Sequence, residues 1–286
     1  MMSRQTIIHT IADMRVFTSE AGSADKTIGL VPTMGALHEG HLSLIRRSTD
    51  ENDITVASVF VNPIQFDDPE DLSAYPQTLE SDSKSAFEAG ADAIFAPSAA
   101  EMYPAGFSTF VDMTGISEKL CGASRPSFFR GVLTVVSKLF GIVAPDRAYF
   151  GEKDAQQLEV VKKMANELCM NIEIIGCPTV REKDGLAMSS RNSRLTGRER
   201  TSARSLYTAL TEAEKLFAAG ETNPLKLKAA MIRIIEKEPC TSIEYALIVD
   251  PATFESVKEA RRGDLLALAV DIGGVRLIDS KRLKQS

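Results

Sequence analysis

The sequence predicts a doubly wound α/β sheet followed by a smaller α+β domain. Three observations predict it. Short apolar runs alternate with segments of helical period from Thr6 to about Cys177. One run, Ile54–Val61 (ITVASVFV), is apolar almost throughout and rich in β-branched residues, as suits a strand covered on both faces. After Cys177-Pro178 the pattern changes to two long helical segments and three strand-like runs, the last two flanking Gly273-Gly274, a hairpin signal. The expected domains are therefore residues 1–176 and 177–286.

Taken in order, Thr6 to about Glu20 has helical spacing, with Ile7, Ile8, Ile11, Met14 and Val16 apolar. Thr27–Val31 reads as the first strand and His41–Asp50 as a helix. The strand Ile54–Val61 is stopped by Asn62-Pro63. Leu79–Ala89 is a helix ended by Gly90, and Ala93–Ala96 a short strand stopped by Pro97. Thr109–Met113 reads as a strand, Gly131–Val143 as a long apolar helix and Arg147–Phe150 as a strand. Ala155–Leu168 is a helix and Ile172–Ile175 a strand. In the second domain Arg198–Ala219 and Pro224–Lys237 read as helices, and Ile243–Val249, Leu265–Asp271 and Val275–Asp279 as strands. The first domain is thus Rossmann-like. In such sheets ligands bind beyond the carboxyl ends of the strands, where the strand order switches.

The chain has 286 residues, 44% hydrophobic and 25% charged, an ordinary globular composition that can bury a core of normal size. A net charge of −6 and a pI near 5.3 argue against a large nucleic-acid footprint, which needs a basic face. None of Cys121, Cys169, Cys177 and Cys240 forms a C-x-x-C pair, so they read as thiols of a reducing compartment. There is no basic-then-apolar signal region and no apolar stretch of about 20 residues. The expectation is a cytoplasmic protein with no membrane partner.

Chemistry concentrates at Val31-Pro32-Thr33-Met34-Gly35-Ala36-Leu37-His38-Glu39-Gly40-His41, between the first strand and a helix. Gly35 and Gly40 let the backbone approach a ligand without a Cβ in the way. The helix N-terminus offers unpaired N–H groups that suit a phosphate. His38 and His41 can add donors to the same anion. The stretch alone leaves two other readings open: the histidines fill and cap a turn, or they begin a metal site, for which no further Cys/His cluster is present.

Further strings follow. Gln65, in Ser58-Val59-Phe60-Val61-Asn62-Pro63-Ile64-Gln65-Phe66, lies just past a strand end, and its carboxamide can donate and accept. Gly151-Glu152-Lys153-Asp154 follows another strand; Gly151 permits close approach and Lys153 is a point charge suited to a polyphosphate. Met188-Ser189-Ser190-Arg191, at the domain boundary, brings two hydroxyls and a guanidinium fork. On residues alone Gln65 and Gly151–Asp154 also read as solvated loops, and Met188–Arg191 as a basic, flexible interdomain linker.

His-x-Gly-His after a strand resembles the "HIGH" signature of the nucleotidyl-transferase superfamily, and PTMGALHEGH resembles the pantoate–β-alanine ligase family. VNPIQF, YPQTL, GASRPSFFRGV, GEKDAQQ and MSSR agree with that family in order and spacing over nearly the whole chain. The resemblance implies ATP, pantoate and β-alanine as substrates, with Mg2+ accompanying ATP, an acyl-adenylate intermediate, and a homodimer. It implies ATP binding by Met34, Gly35, His38, Gly40, His41, Gly151, Glu152, Lys153, Asp154, Val180, Met188, Ser189, Ser190 and Arg191. It implies catalytic roles for His41, His38, Lys153, Ser189, Ser190 and Arg191, with His41 the first choice of proton donor and His38 the alternative. Gln65 and Gln157 would hold pantoate, with the β-alanine site adjoining, and Asp82 would contact the metal. Two positions depart from the family: Phe128, where relatives commonly have histidine, and Gln77, where they tend to have arginine. The competing functions are another transferase of the superfamily, which does not predict VNPIQF together with GEKD and a following glutamine, and a non-catalytic ATP sensor.

Overall fold

A computed structural model describes residues 5–284 of the chain. The chain forms two compact units. The first comprises the chain up to Thr114 together with Ser124–Gly151 and Val160–Cys177. The second comprises Gly115–Ala123, Glu152–Glu159 and the chain from Pro178 onward. Two short segments that fall inside 1–176 in sequence thus belong with the second unit, and one of them carries Glu152–Asp154 and Gln157.

The first unit is built on six parallel strands: β1 (Thr6–Ile8), β2 (Ile28–Thr33), β3 (Ile54–Val59), β4 (Ala93–Phe95), β5 (Arg147–Gly151) and β6 (Glu173–Cys177). Their spatial order is β1-β4-β3-β2-β5-β6. The chain moves outward from β2 through β3 to β4, then returns to place β5 on the other side of β2. The switch in strand order therefore lies between β2 and β5. These two strands pair only at Gly29↔Arg147 and Leu30↔Ala148, although β2 continues to Thr33 and β5 to Gly151. Beyond Leu30 the sheet opens into the crevice where doubly wound folds bind ligands.

The helices up to Cys177 are α1 (Ile11–Ser23), α2 (Glu39–Glu51), α3 (Pro69–Ser73), α4 (Leu79–Glu88), α5 (Ala99–Met102), α6 (Leu120–Ser124), α7 (Phe128–Val143) and α8 (Ala155–Glu167). The short α3, α5 and α6 had no expectation in the sequence, and α6 (all but Ser124) and the start of α8 fall in the second unit. Leu44 and Ile45 of α2 and Ala86 of α4 join Val31, Ala57, Ile94 and Tyr149 of the strands in one buried cluster. β2 and β3 are almost wholly buried, which explains their unbroken apolar runs.

Two expectations fail in this unit. Thr6–Ile8 is not the start of a helix but an edge strand paired with Ala93–Phe95 of β4. The helix begins after Thr10, whose side chain accepts from the Asp13 N–H; the β-branched residues before that cap belong to the sheet. Thr109–Met113 is not a strand either. The Val111 N–H donates to Thr134 Oγ1 of α7 at 3.0 Å, a side-chain dock in place of a ladder bond.

The second unit carries α9 (Gly197–Ala218), α10 (Pro224–Ile235) and an antiparallel sheet of β7 (Thr241–Val249), β8 (Leu265–Ile272) and β9 (Val275–Arg282) in the order β7-β8-β9. β8 is central and buried at nearly every position. Its turn to β9 is Gly273-Gly274, both at positive φ, as the hairpin signal required. Leu206, Leu210 and Phe217 of α9 and Leu227, Met231 and Ile235 of α10 form a core with Leu266, Leu268 and Val270 of β8. Among the described residues no helix is long and apolar enough to cross a membrane.

Candidate active site

The histidine pair is organised by the opening of α2. His38 is its N-cap, with extended backbone (φ −134°, ψ 174°), and its Nδ1 accepts from the Gly40 N–H at 3.1 Å. His41, three residues on, returns the bond: its Nδ1 accepts from the His38 N–H at 3.4 Å. The two rings lie 4.1 Å apart between centroids. This is a capping box made from imidazoles, with both orphan donors served reciprocally. It also fixes the chemistry of the rings. A nitrogen that accepts cannot carry the proton, so each neutral ring holds its proton on Nε2. The sequence offered turn filling and phosphate binding as rival readings; Nδ1 performs the first and puts an Nε2–H donor on each ring for the second.

Gln65 ends a short 3₁₀ turn, Pro63–Gln65, after β3, and is buried. Its orientation follows from its neighbours. The Asn62 Nδ2 donates to the Gly131 C=O at 3.1 Å and to Gln65 Oε1 at 2.9 Å. The Tyr103 hydroxyl donates to Asn62 Oδ1 at 2.7 Å, and burial pushes its phenol well up, so it keeps its proton. A backbone carbonyl can only accept, so the Asn62 amide is oriented, Gln65 Oε1 is occupied, and Gln65 Nε2 is turned toward Met34 Sδ at 2.9 Å. A thioether is a weak acceptor. Gln65 is therefore set as a donor, suited to carboxylate or hydroxyl oxygens. Asn62 and Tyr103 were missed in the sequence reading; Asn62 had a signal, a polar residue three before Gln65 at the end of an apolar strand, whereas Tyr103 had none.

Phe128 opens α7 half-buried, with the Arg125 guanidinium 4.1 Å above its ring. Arg125 in turn donates to the Gln65 C=O at 3.1 Å. The departure at Phe128 thus touches Arg125, which in turn holds the Gln65 backbone.

Asp82, which the family resemblance would place at a metal, has both carboxylate oxygens hydrogen-bonded within the protein. Its Oδ2 accepts from the Ala36 N–H at 2.9 Å and from Thr78 Oγ1 at 3.0 Å, and its Oδ1 from the Leu37 N–H at 2.8 Å. Both oxygens are engaged and the residue is 3% exposed. Among the described residues no three His, Cys, Asp or Glu side chains gather as a metal cluster. The residues present therefore do not form a protein cage for Mg2+, which binds nucleotides with few carboxylates and several waters.

The second unit holds the remaining candidates. Glu152–Asp154 form a 3₁₀ turn leading into α8, and Ser280 Oγ of β9 donates to the Glu152 C=O at 3.2 Å. Lys153 and Gln157 are half-buried. Gln156, beside Gln157, is instead structural, donating to the Ile116 and Lys119 carbonyls. Val180 and Met188 pair across a small hairpin, the Met188 N–H donating to the Val180 C=O at 3.0 Å. Ser189 caps the 3₁₀ turn Ser190–Arg194, its Oγ accepting from the Arg191 N–H at 3.3 Å. The hairpin is anchored by Arg181, which makes a paired, two-bond contact with the buried Asp279 at 2.6 and 3.0 Å. Glu182 ties the turn down: it accepts from Asn192 Nδ2 at 2.9 Å and from Arg200 Nη2 at 2.7 Å. Nothing local in the sequence pointed to Glu182, Asn192 or Arg200. Gly35 precedes the histidine pair, Gly40 lies between its two members, and Gly151 closes β5 in the first unit.

The family model described as pantoate-beta-alanine ligase matches residues 6–282. The chain belongs to the pantoate–β-alanine ligase family. It is 53% identical over 274 residues to the pantothenate synthetase of Acetivibrio thermocellus, covering 96% of this chain and 98% of that protein. It is 52% identical to that of Thermotoga neapolitana with the same coverage. The pantothenate synthetase structure from Thermus thermophilus superposes with a TM-score of 0.92 at 42% identity, over 97% of this chain and 99% of that one. The pantoate-beta-alanine ligase of Francisella tularensis, complexed with beta-gamma ATP and beta-alanine, superposes at 0.82 with 33% identity, over 98% of both chains. Members of this family are ligases that form an amide bond, and the fold described above is theirs.

Proposed function

We propose that this chain condenses (R)-pantoate with β-alanine at the expense of ATP, through an enzyme-bound pantoyl adenylate. A pantoate carboxylate oxygen attacks the α-phosphorus of ATP, the bond to the β-phosphate oxygen breaks, and pyrophosphate leaves. The uncharged amine of β-alanine then attacks the acyl carbon, AMP leaves, and the amine gives up a proton as the amide forms. No protein nucleophile is required. The protein aligns the reactants and stabilises charge gathering on the phosphates.

The observation that carries this reading is the imidazole capping box, which sets two Nε2–H donors at the helix N-terminus that follows β2. We assign His41 and His38 to the phosphates, with His41 the proton donor toward the leaving group. Lys153, Ser189, Ser190 and Arg191 share the triphosphate charge. Met34, Gly35, Gly40, Gly151, Glu152, Asp154, Val180 and Met188 line the nucleotide. Gln65 donates to pantoate, and Gln157 assists. Mg2+ arrives with ATP as the substrate complex and keeps most of its waters. We further propose a homodimer working in the cytoplasm; the four cysteines form no disulfide, which suits a reducing compartment.

The test is pyrophosphate release from MgATP and (R)-pantoate in one turnover. Wild type should give a burst equal to the enzyme without β-alanine, then steady turnover and AMP once it is added. His41→Ala should slow the burst far more than it weakens pantoate binding. An unchanged burst in that variant removes His41 from the mechanism.

A further inference from the structure

Between β2 and α2 the chain makes a turn that an ordinary sequence resists. Gly35 has φ +85° and Ala36 φ +50°, two left-handed residues in succession, the second without the freedom of glycine. Three consecutive N–H groups point inward. That of Gly35 donates to Thr33 Oγ1 at 3.1 Å, and those of Ala36 and Leu37 to the two oxygens of Asp82. Successive backbone N–H groups in a turn form a concavity that binds anions. Here the anion is internal. Asp82 comes from the first turn of α4, where the helix dipole favours a negative charge, and Thr78 Oγ1 fixes its rotation.

Two consequences follow. The turn that Asp82 fills ends one residue before His38, so it sets where α2 begins and how the two rings are aimed. Its carboxylate also fills the concavity that these N–H groups form, so the turn is held from within the protein.

We propose that Asp82 is a positioning residue for adenylate formation, acting through His38 and His41 by holding the Gly35–Leu37 turn. The proposal rests on the assignment of those histidines to the phosphates. Asp82→Asn keeps the shape but sets an amide donor against a backbone N–H, and a hydrogen bond to a charged group is lost. Pyrophosphate release in one turnover should slow about tenfold or more. Reaction of synthetic pantoyl adenylate with β-alanine, measured on the same preparation, should stay within about twofold of wild type, because the adenylate is already made. That second measurement is one that a loss of folded enzyme would lower equally. Thr78→Val, at an exposed position, removes only the hydroxyl that fixes the carboxylate and should slow pyrophosphate release in the same direction by about two- to fivefold.

A mutant cycle completes the test. If Asp82 acts through the two histidines, the His41→Ala/Asp82→Asn enzyme loses less rate than the product of the two single losses, because only the His38 share remains for Asp82 to position. A full multiplicative loss in the double variant overturns the Asp82 proposal while leaving the histidine assignment standing. So does an equal fall of both half-reactions in Asp82→Asn, or pyrophosphate release at the wild-type rate. If His41→Ala itself releases pyrophosphate normally, the histidine assignment fails, and the Asp82 proposal with it.

Discussion

The ring of His38 carries an observed role and a proposed one: Nδ1 caps α2, and Nε2–H is assigned to phosphate. The two can be separated by substitution. His38→Ala removes both. Loss of an N-cap acceptor costs about 1 kcal/mol, which in a unit of this size lowers Tm by about 2–4 °C. His38→Asn restores the cap, because the asparagine oxygen can accept from the Gly40 N–H as Nδ1 does. It does not restore the donor, since the shorter side chain ends well before the ring's Nε2. Removing one preorganised donor from developing charge typically costs about 10²–10³ in rate. The expected pattern is therefore divergent. His38→Ala loses both stability and pyrophosphate release, while His38→Asn regains the stability and stays slow. Thermal unfolding and single-turnover pyrophosphate release on the same preparations read the two roles. If asparagine restores the rate together with the stability, His38 is a cap and nothing more. If alanine loses rate but no stability, the capping bond contributes nothing and the tautomer argument built on it fails.

Two further predictions concern the supports of the site. A Cβ at Gly131 would lie 2.6 Å from Gln65 Cα and from the Ile64 C=O, backbone contacts that cannot yield cheaply. Gly131→Ala should cost about 1–3 kcal/mol in stability and raise the KM for pantoate more than that for ATP; unfolding and steady-state kinetics at wild-type values would remove Gly131 from the support of Gln65. In the second unit, Glu182→Gln keeps the side chain's size but takes from Arg200 one of its two carboxylate partners, leaving Asp184 at 2.8 Å, while Arg200 Nη1 is already buried without a hydrogen-bond partner. It should loosen the Ser189–Arg194 turn and raise the KM for ATP with kcat and pantoate KM little changed. An unaltered ATP dependence would show that the turn holds its shape without that tie.

What could be read from the chain alone was decided by how far apart in sequence the interacting groups are. β2, β3 and β4 were legible because strands covered on both faces must be apolar almost throughout. His38, Gln65 and Lys153 could be singled out as candidates because each lies at or just beyond the end of a regular element, but the roles expected of them and of Ser189 came from the family resemblance rather than from spacing. β1 was lost because three residues of strand beside a helix are outvoted by the helical period. The supports were lost for a different reason. Asp82 reaches back 46 and 45 positions to Ala36 and Leu37, Tyr103 reaches 41 positions to Asn62, and Arg181 reaches 98 to Asp279. In the string YPQTLESDS an aspartate in the first turn of a helix carries no sign of what it will meet, so a charge beside a nucleotide site is naturally assigned to the metal. Only the register of α4 against the β2–α2 turn turns it into an acceptor for backbone N–H groups. The same logic says where substitutions that leave every ligand-facing residue intact should nonetheless slow the enzyme: at acceptors whose partners are distant in sequence and whose loss leaves a buried N–H unpaired. Asp82 meets both conditions most fully, because it serves two N–H groups of a turn that holds a non-glycine residue in a left-handed conformation.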